Sequence, residues 1–570
     1  MRTGRGVLGL AGPVCAVLVG GCYVGGGVAA GEGETGDESG LETEASGEGE
    51  SDDDGGDDGP GEPSCDGPLV GPTRMARLTQ EEYANAVFDL LGVAVDPREL
   101  SGDEHVGPFD ANVASGVGTL QLREYLEMAE HVAQLAEIDG ASGCPEGAAG
   151  TDCAAEFVAT LAHRAYGRPL TDAQRQQLDA VFAAGLQDDV PTAVSLSITA
   201  ILQNPYFLYG VQTGEPDPDQ PGVIRLDGAS IARRMALLLW GSVADDALLE
   251  AAEADGLRDP EVRRAQAERM LSDGRAERAV GRRYAEWFGV ADLDVRPKDA
   301  EVFVGYDAAL AQDMERAVST FAARTILDGG TLDDLLLSRR AFVSPALAAL
   351  YGVTVDADAD ETEVELDADE RAGLLTRAAV MTRWSHEDQT APVQRGAFVR
   401  ADVMCQPNPP PPPDVDDAPV AIDPDATARE RFAMHREDPS CNACHERLDL
   451  LGFGFEHYDG VGRYRTIDGN VGVDARGSLL YADVEGDFEG GVELSAMLAE
   501  SDEVRRCFVR QHVRLSQLRE IIGAEPAAVC LVEALIEQLP TDSLPLRDLL
   551  VATVAHESFG LRIIEEEEGS

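Results

Sequence analysis

At 570 residues the chain is too long for one hydrophobic core and predicts roughly three to five domains. Its 44% hydrophobic content lets most of it fold, while 105 acidic against 45 basic residues give a net charge of −60. That charge repels nucleic-acid phosphates and anionic membrane surfaces, which excludes a nucleic-acid partner and reads as solubility of an exported protein.

In chain order, Arg2 and Arg5 precede an apolar stretch from Val7 to Val19 that contains Cys15 and is too short to span a bilayer. It ends in Leu18-Val19-Gly20-Gly21-Cys22, similar to a bacterial lipobox, which makes Cys22 the expected lipidation site and new N-terminus. A plain signal peptide cut after Ala29 or Ala30 is the alternative. Tyr23, by resemblance to lipoprotein sorting rules, points to the outer membrane, so the lipid anchor is the expected membrane contact. Residues 22–63 are mostly Gly, Glu, Asp and Ser, too polar to offset their ordering entropy, and read as an acidic tether.

The rest is expected to be mainly α-helical, with several small helical domains in series: 64–140, 141–215, 220–365, 366–485 and 486–565. Thr79 and Glu82 have capping-box spacing ahead of Tyr83, Val87 and Leu90 on one face, with Gly92 as the stop. Gly167-Arg168-Pro169 separates two helices, and Thr171 caps the second. Helices follow over 192–203, across 227–289, over 307–327 and around Arg371 to Trp384. The Pro409 to Pro413 run reads as an exposed strap between domains. After it, "YRTIDGNVGVDARGSLLYADV" has the turn residues of a small β-hairpin.

Eight of the ten cysteines lie beyond Cys22, in what is read as an oxidising compartment. Cys144 and Cys153 suit a local disulfide, Cys507 and Cys530 a staple across a helical hairpin, and Cys65 and Cys405 are then left to pair. The remaining two stand in Cys441-Asn442-Ala443-Cys444-His445. With 10 Cys and 9 His in the chain, such a pattern is expected by chance roughly 0.003 times. Three chemistries use this spacing. Thiols one turn apart can add across the haem vinyl groups while the next histidine ligates iron, which makes Cys441, Cys444 and His445 a candidate c-type haem site. The two cysteines can instead close a disulfide. Zinc would need a second ligand pair, and no other C-x-x-C exists. Met497 is the candidate sixth ligand, with Met434, His435, His457 and His386 behind it, and Arg463 and Arg465 are candidate propionate partners. "SHEDQT" at 385–390 could hold a ligand but reads better as a helix-capping loop.

"RLTQEEYANAVFDLLG", "AHRAYGRPLT", "ILQNPYFLYG", "LLLWGSVADDALL", "RAGLLTRAAVMTRWSHEDQTAPVQRGAFV", "CNACHERLDLLGFGFEHYDGVGRYR" and "RCFVRQ" occur in that order. Together they resemble the planctomycete-type secreted proteins, also abundant in myxobacteria, built from a string of domains of unknown function and often described as cytochrome-associated. The resemblance implies a haem-like C-x-x-C-H stretch, and the expected partners are a redox partner or an envelope complex. Where that pattern commonly has Ile-Asp-Pro, this chain has Leu448-Asp449-Leu450, which predicts a looser turn after the helix. The expected function is electron transfer or an oxidoreductase step on one haem c, and the alternative is a non-haem, disulfide-stapled binding or scaffold protein.

Overall fold

A computed structural model describes residues 65–563, except 66, 68, 72–74, 114–115, 139–143, 145–147, 409–419, 434–438, 519–524 and 541–542. Cys15, Cys22, the acidic tether, the Pro409–Pro413 strap, Met434 and His435 lie outside the described residues.

Helices dominate, and the sheets have two or three short strands. The first helix, Gln80–Leu91, starts with the Thr79/Glu82 capping box and ends on Gly92 at φ 73°, burying Tyr83, Val87 and Leu90. Thr171 caps Asp172–Gly185 through a box with Gln174, and Gly167 takes φ 66° at the break before it. The helix Val190–Leu202 stops before a one-turn helix that starts at Pro205. Asp227, Asp245, Asp259, Asp273 and Asp307 each cap a helix of the central region with a side-chain oxygen.

The helix expected around Arg371 to Trp384 is only Ala378–Arg383. Residues 371–377 turn instead, because the Arg371 guanidinium takes the Thr376 carbonyl at 2.6 Å and the Thr376 hydroxyl bonds the Ala372 backbone. The hairpin after the cysteine motif is present as Ile467–Asp468 against Val471–Gly472, followed by Arg476–Leu479 against Gly486–Glu489. Two further sheets carry little periodic signal: Arg340–Val343 with Thr362–Glu365, and Val223–Leu226 between Gly214–Pro216 and Leu561–Ile563.

Two large cores hold these elements. Tyr83, Val132, Leu161, Ile198 and Phe207 belong to one that the first two helical segments share. The other is continuous from the central helices to the C-terminal ones, through Trp240, Trp287, Phe321, Phe455 and Phe508. Between the cores runs a buried ionic chain. Arg283 bonds Glu82 at 2.8 Å and Glu286 at 3.2 Å, and Arg282 bonds Glu286 at 2.9 Å and Asp110 at 2.8 Å. Burial pushes the Glu286 carboxyl up to about 7 against the pull of Arg283 and Arg282. Glu315, 3.8 Å from Arg282, is likewise pushed up to about 7 by burial.

Three disulfides cross the fold: Cys65–Cys530, Cys144–Cys153 and Cys405–Cys507. All six expected cysteines are bonded and the local pair is as expected, but the two long-range pairs exchange partners. Cys507 faces the chain that leaves the turn Val399–Val403, where Cys405 sits at φ 54°, so its sulfur meets Cys405 and not the next helix. Cys530, on Pro526–Glu537, is then the partner of Cys65. Among the described residues no helix is long and apolar enough to cross a membrane.

Candidate functional site

Cys441, Cys444 and His445 lie on one helix, Pro439–Gly452, opened by a proline whose missing N–H costs nothing in the first turn. Spacings of three and four residues put all three on one face. The helix runs through Leu450 without a break. Leucine supplies there the amide that a proline would remove, so the departure from the related pattern lengthens the helix and does not loosen a turn.

The helix lies antiparallel to Pro392–Phe398 at backbone contact distance. A Cβ on Gly396 would strike the Leu448 carbonyl, and one on Gly452 would strike the Pro392 carbonyl. Only glycine fits at either crossing, and the register sends the cysteine turn towards Val399–Val403, the turn that precedes the Cys405–Cys507 disulfide. The side chains of Cys441 and Cys444 lie outside the described part of the structure.

His445 is oriented by its own helix. Its Nδ1–H donates to Asp449 Oδ1 at 3.0 Å one turn on, and the Asp449 side chain is fully buried. A carboxylate at Nδ1 holds the proton there, the arrangement by which metal-bound histidines are commonly positioned. Asp449 Oδ2 is buried with no hydrogen-bond partner, as is Glu456 Oε1. Such oxygens are uncommon in a folded interior.

The chain after the helix is fixed by buried cations bonded to backbone oxygens. Arg395, with no exposed side-chain surface, donates to the carbonyls of Phe455, Tyr458 and Asp459 on one side, and to those of Met381 and Trp384 and the Ser385 hydroxyl on the other. Arg371 donates to Gly462 O at 2.7 Å and lies between the Tyr351 and Tyr458 rings. His457 Nδ1 donates to Arg465 O at 2.9 Å while its ring stacks on Tyr464. Arg465 pairs with Glu456 and Asp468, and Arg463 is a half-exposed partner of Asp459. Both arginines expected for propionates thus already have carboxylates.

The "SHEDQT" turn is bridged by Ser385 and Thr390 and held from outside by Lys298. Lys298 Nζ donates to Ser385 O at 3.0 Å and His386 O at 2.7 Å. Burial, reinforced by Arg395, Arg383 and Arg296, pulls the Lys298 ammonium down to about 7. Burial also lowers the His386 imidazole from its ordinary range. Sequence reasoning missed Lys298, because its partners are main-chain carbonyls that no motif announces. Met497 lies on Gly490–Ala499, packed against the larger core with its Cε beside Gly486. Among the described residues no three His, Cys, Asp or Glu side chains gather as a metal site.

The donor set fits a c-type haem. It has two cysteines one helical turn apart and an imidazole whose Nδ1 is committed to a buried carboxylate, and the three disulfides account for every other cysteine from Cys65 onwards. Four family models match the chain in series: PSD3, a protein of unknown function (DUF1587), over residues 76–137; PSD5 (DUF1595) over 153–211; PSD4 (DUF1592) over 226–353; and PSCyt3 (DUF1588) over 371–468. The last spans the whole cysteine helix and the anchored segment after it. No curated protein and no solved structure matches the chain.

Proposed function

The chain belongs to the planctomycete-type, cytochrome-associated string of domains of unknown function, and on that premise we propose that it carries one c-type haem on Cys441, Cys444 and His445. In this reading it is an exported envelope lipoprotein, anchored at Cys22 to the outer membrane and serving electron transfer or an oxidoreductase step with a redox partner. The observation that carries the reading is the partition of cysteines. Six of them, from Cys65 to Cys530, pair with one another, and the two left over are those beside the carboxylate-oriented histidine. Haem, when bound, supplies one-electron chemistry at iron.

The protein's own part is to tether and to orient. Cys441 and Cys444 would hold the group covalently and His445 would ligate its metal, with Asp449 fixing the orientation and tautomer of the ring. Met497 packs against the larger core, and Met434 and His435 lie outside the described residues.

A second reading has support in the same helix. Residues three apart in an α-helix have Cα atoms about 5 Å apart, within disulfide range, so Cys441 and Cys444 can close on each other in a scaffold protein stapled throughout. Protein secreted from a host with cytochrome c maturation separates the two. A Soret band and a haem-staining band that survive denaturation, and vanish in Cys441→Ala/Cys444→Ala, support the haem. Folded protein with neither haem nor free thiol at these positions overturns it in favour of the scaffold.

A further inference from the structure

A second site lies where the N-terminal helices meet the central domain, in a crevice lined by Ala76, Glu82, Gln212, Arg233, Arg283 and Leu518 among others. Arg233 is 9% exposed. It makes one hydrogen bond, Nη2 to Phe207 O at 2.6 Å, its Nε is buried without a partner, and no carboxylate among the described residues pairs with it. The charges around it do not supply the missing anion. Both oxygens of Glu82 are taken, Oε1 by Arg283 at 2.8 Å and Oε2 by the Thr79 amide at 3.1 Å. Arg283 is further shared with Glu286, and Arg168 adds positive potential from the far side. Arg234 is spent on the carbonyls of Phe559, Leu561 and Ser516. Gln212 Oε1 is buried with no partner in the same crevice.

Burial pulls the Arg233 guanidinium only down to about 10, so it stays charged at neutral pH. A buried charge without a directly paired counter-charge is costly, and among the described residues no carboxylate is ion-paired with Arg233, Glu82 acting on it only through space while bonded to Arg283 and the Thr79 amide. The space in front of it is about 40 Å³, roughly three times what one water needs and enough for a compact anionic group.

We propose that this crevice binds a small oxyanion, with the Arg233 guanidinium as its principal donor. The site is independent of the cysteine helix, and haem loading does not bear on it.

The test is the thermal midpoint of the folded, disulfide-intact protein, titrated with sodium acetate and, separately, sodium phosphate against sodium chloride at constant ionic strength. One oxyanion is expected to raise the midpoint saturably by about 2 °C where chloride does not. Response to acetate alone identifies a carboxylate ligand, and response to phosphate alone a phosphate. Arg233→Gln is expected to abolish the response. Gln212→Glu leaves the guanidinium intact and supplies the anion from the chain itself, so it is expected to raise the unliganded midpoint and remove the response. No saturable difference from chloride in the unsubstituted protein, or a response that persists in Gln212→Glu, overturns the proposal.

Discussion

Replacing Arg395 by methionine keeps most of its volume and deletes one cation that fastens six oxygens. Five of these are carbonyls from two separate stretches, 381–385 and 455–459. Hydrogen bonds to a charged donor contribute about 1.5–3 kcal/mol each, so the gross interaction is about 9–18 kcal/mol. Most of that offsets the desolvation of the guanidinium, whose burial pulls it down to about 10. What the methionine variant loses is the pairing of carbonyls that stay buried. Removal of one member of a buried charged contact typically costs about 3–5 kcal/mol, so about 4 kcal/mol is expected here. Arg395→Lys keeps the charge with three donors in place of five and is expected to lose about half as much. Hydrogen exchange reads the effect locally: the amides of Tyr458, Gly462 and Arg465 bond within this segment, while Ile198 in the N-terminal core serves as control. Protection at 458–465 is expected to fall in the order Arg, Lys, Met with Ile198 unchanged. Equal losses for lysine and methionine, or a loss below about 1 kcal/mol, would refute the reasoning, because the carbonyls would then have found water.

Three further outcomes are expected. Glu315 is held near 7 by burial, above its ordinary value near 4.5, so its contribution is fully present below pH 4.5 and is lost as pH rises through 7. Glu315→Gln should therefore be more stable than the parent by about 1–3 kcal/mol at pH 8 and indistinguishable from it near pH 4.5, as measured by denaturant midpoints; a constant offset across pH removes the argument. Cys405→Ala/Cys507→Ala opens a link across 102 residues and should cost about 3–5 kcal/mol on chain-entropy grounds, while a non-reduced peptide map should yield 65–530 and 405–507 linkages and no 507–530 peptide. Asp449→Asn in haem-loaded protein should raise the reduction midpoint by removing the anion hydrogen-bonded to His445, with little change in global unfolding; an unchanged potential would make Asp449 a packing residue only.

Local signals in the sequence carried far. The Thr79/Glu82 and Thr171/Gln174 boxes, the Gly92 and Gly167 stops and the hairpin after the cysteine motif each arise from residues within a few positions of one another, and they form as their spacing dictates. The cysteine motif was legible for the same reason, and so was His445 as its third member. Asp449 stands one turn beyond, yet its role depended on burial, which the spacing alone did not reveal.

The long-range features follow a different rule. Cys65, Cys405, Cys507 and Cys530 were all recognisable as disulfide cysteines, but four equivalent sulfurs can pair in three ways, and the choice depends on which backbone passes Cys507. That choice is made by the Gly396–Leu448 and Gly452–Pro392 contacts, which pull Pro392–Phe398 onto the cysteine helix and aim the following turn at Cys507. The same close contact explains why Arg395 and Lys298 anchor the site chiefly through main-chain oxygens, with the buried Glu456 carboxylate 3.8 Å from Arg395 alongside them. Two backbones packed this tightly leave carbonyls facing inward, and a long cation is the side chain that can reach several at once. In a chain carrying 105 acidic residues, pairing each cation with the nearest acid by spacing would have misplaced both. The cations that organise the cysteine module spend their hydrogen bonds on main chain, Arg395 with Glu456 as a nearby counter-charge, and the buried Asp449 carboxylate on the cysteine helix is bonded to His445.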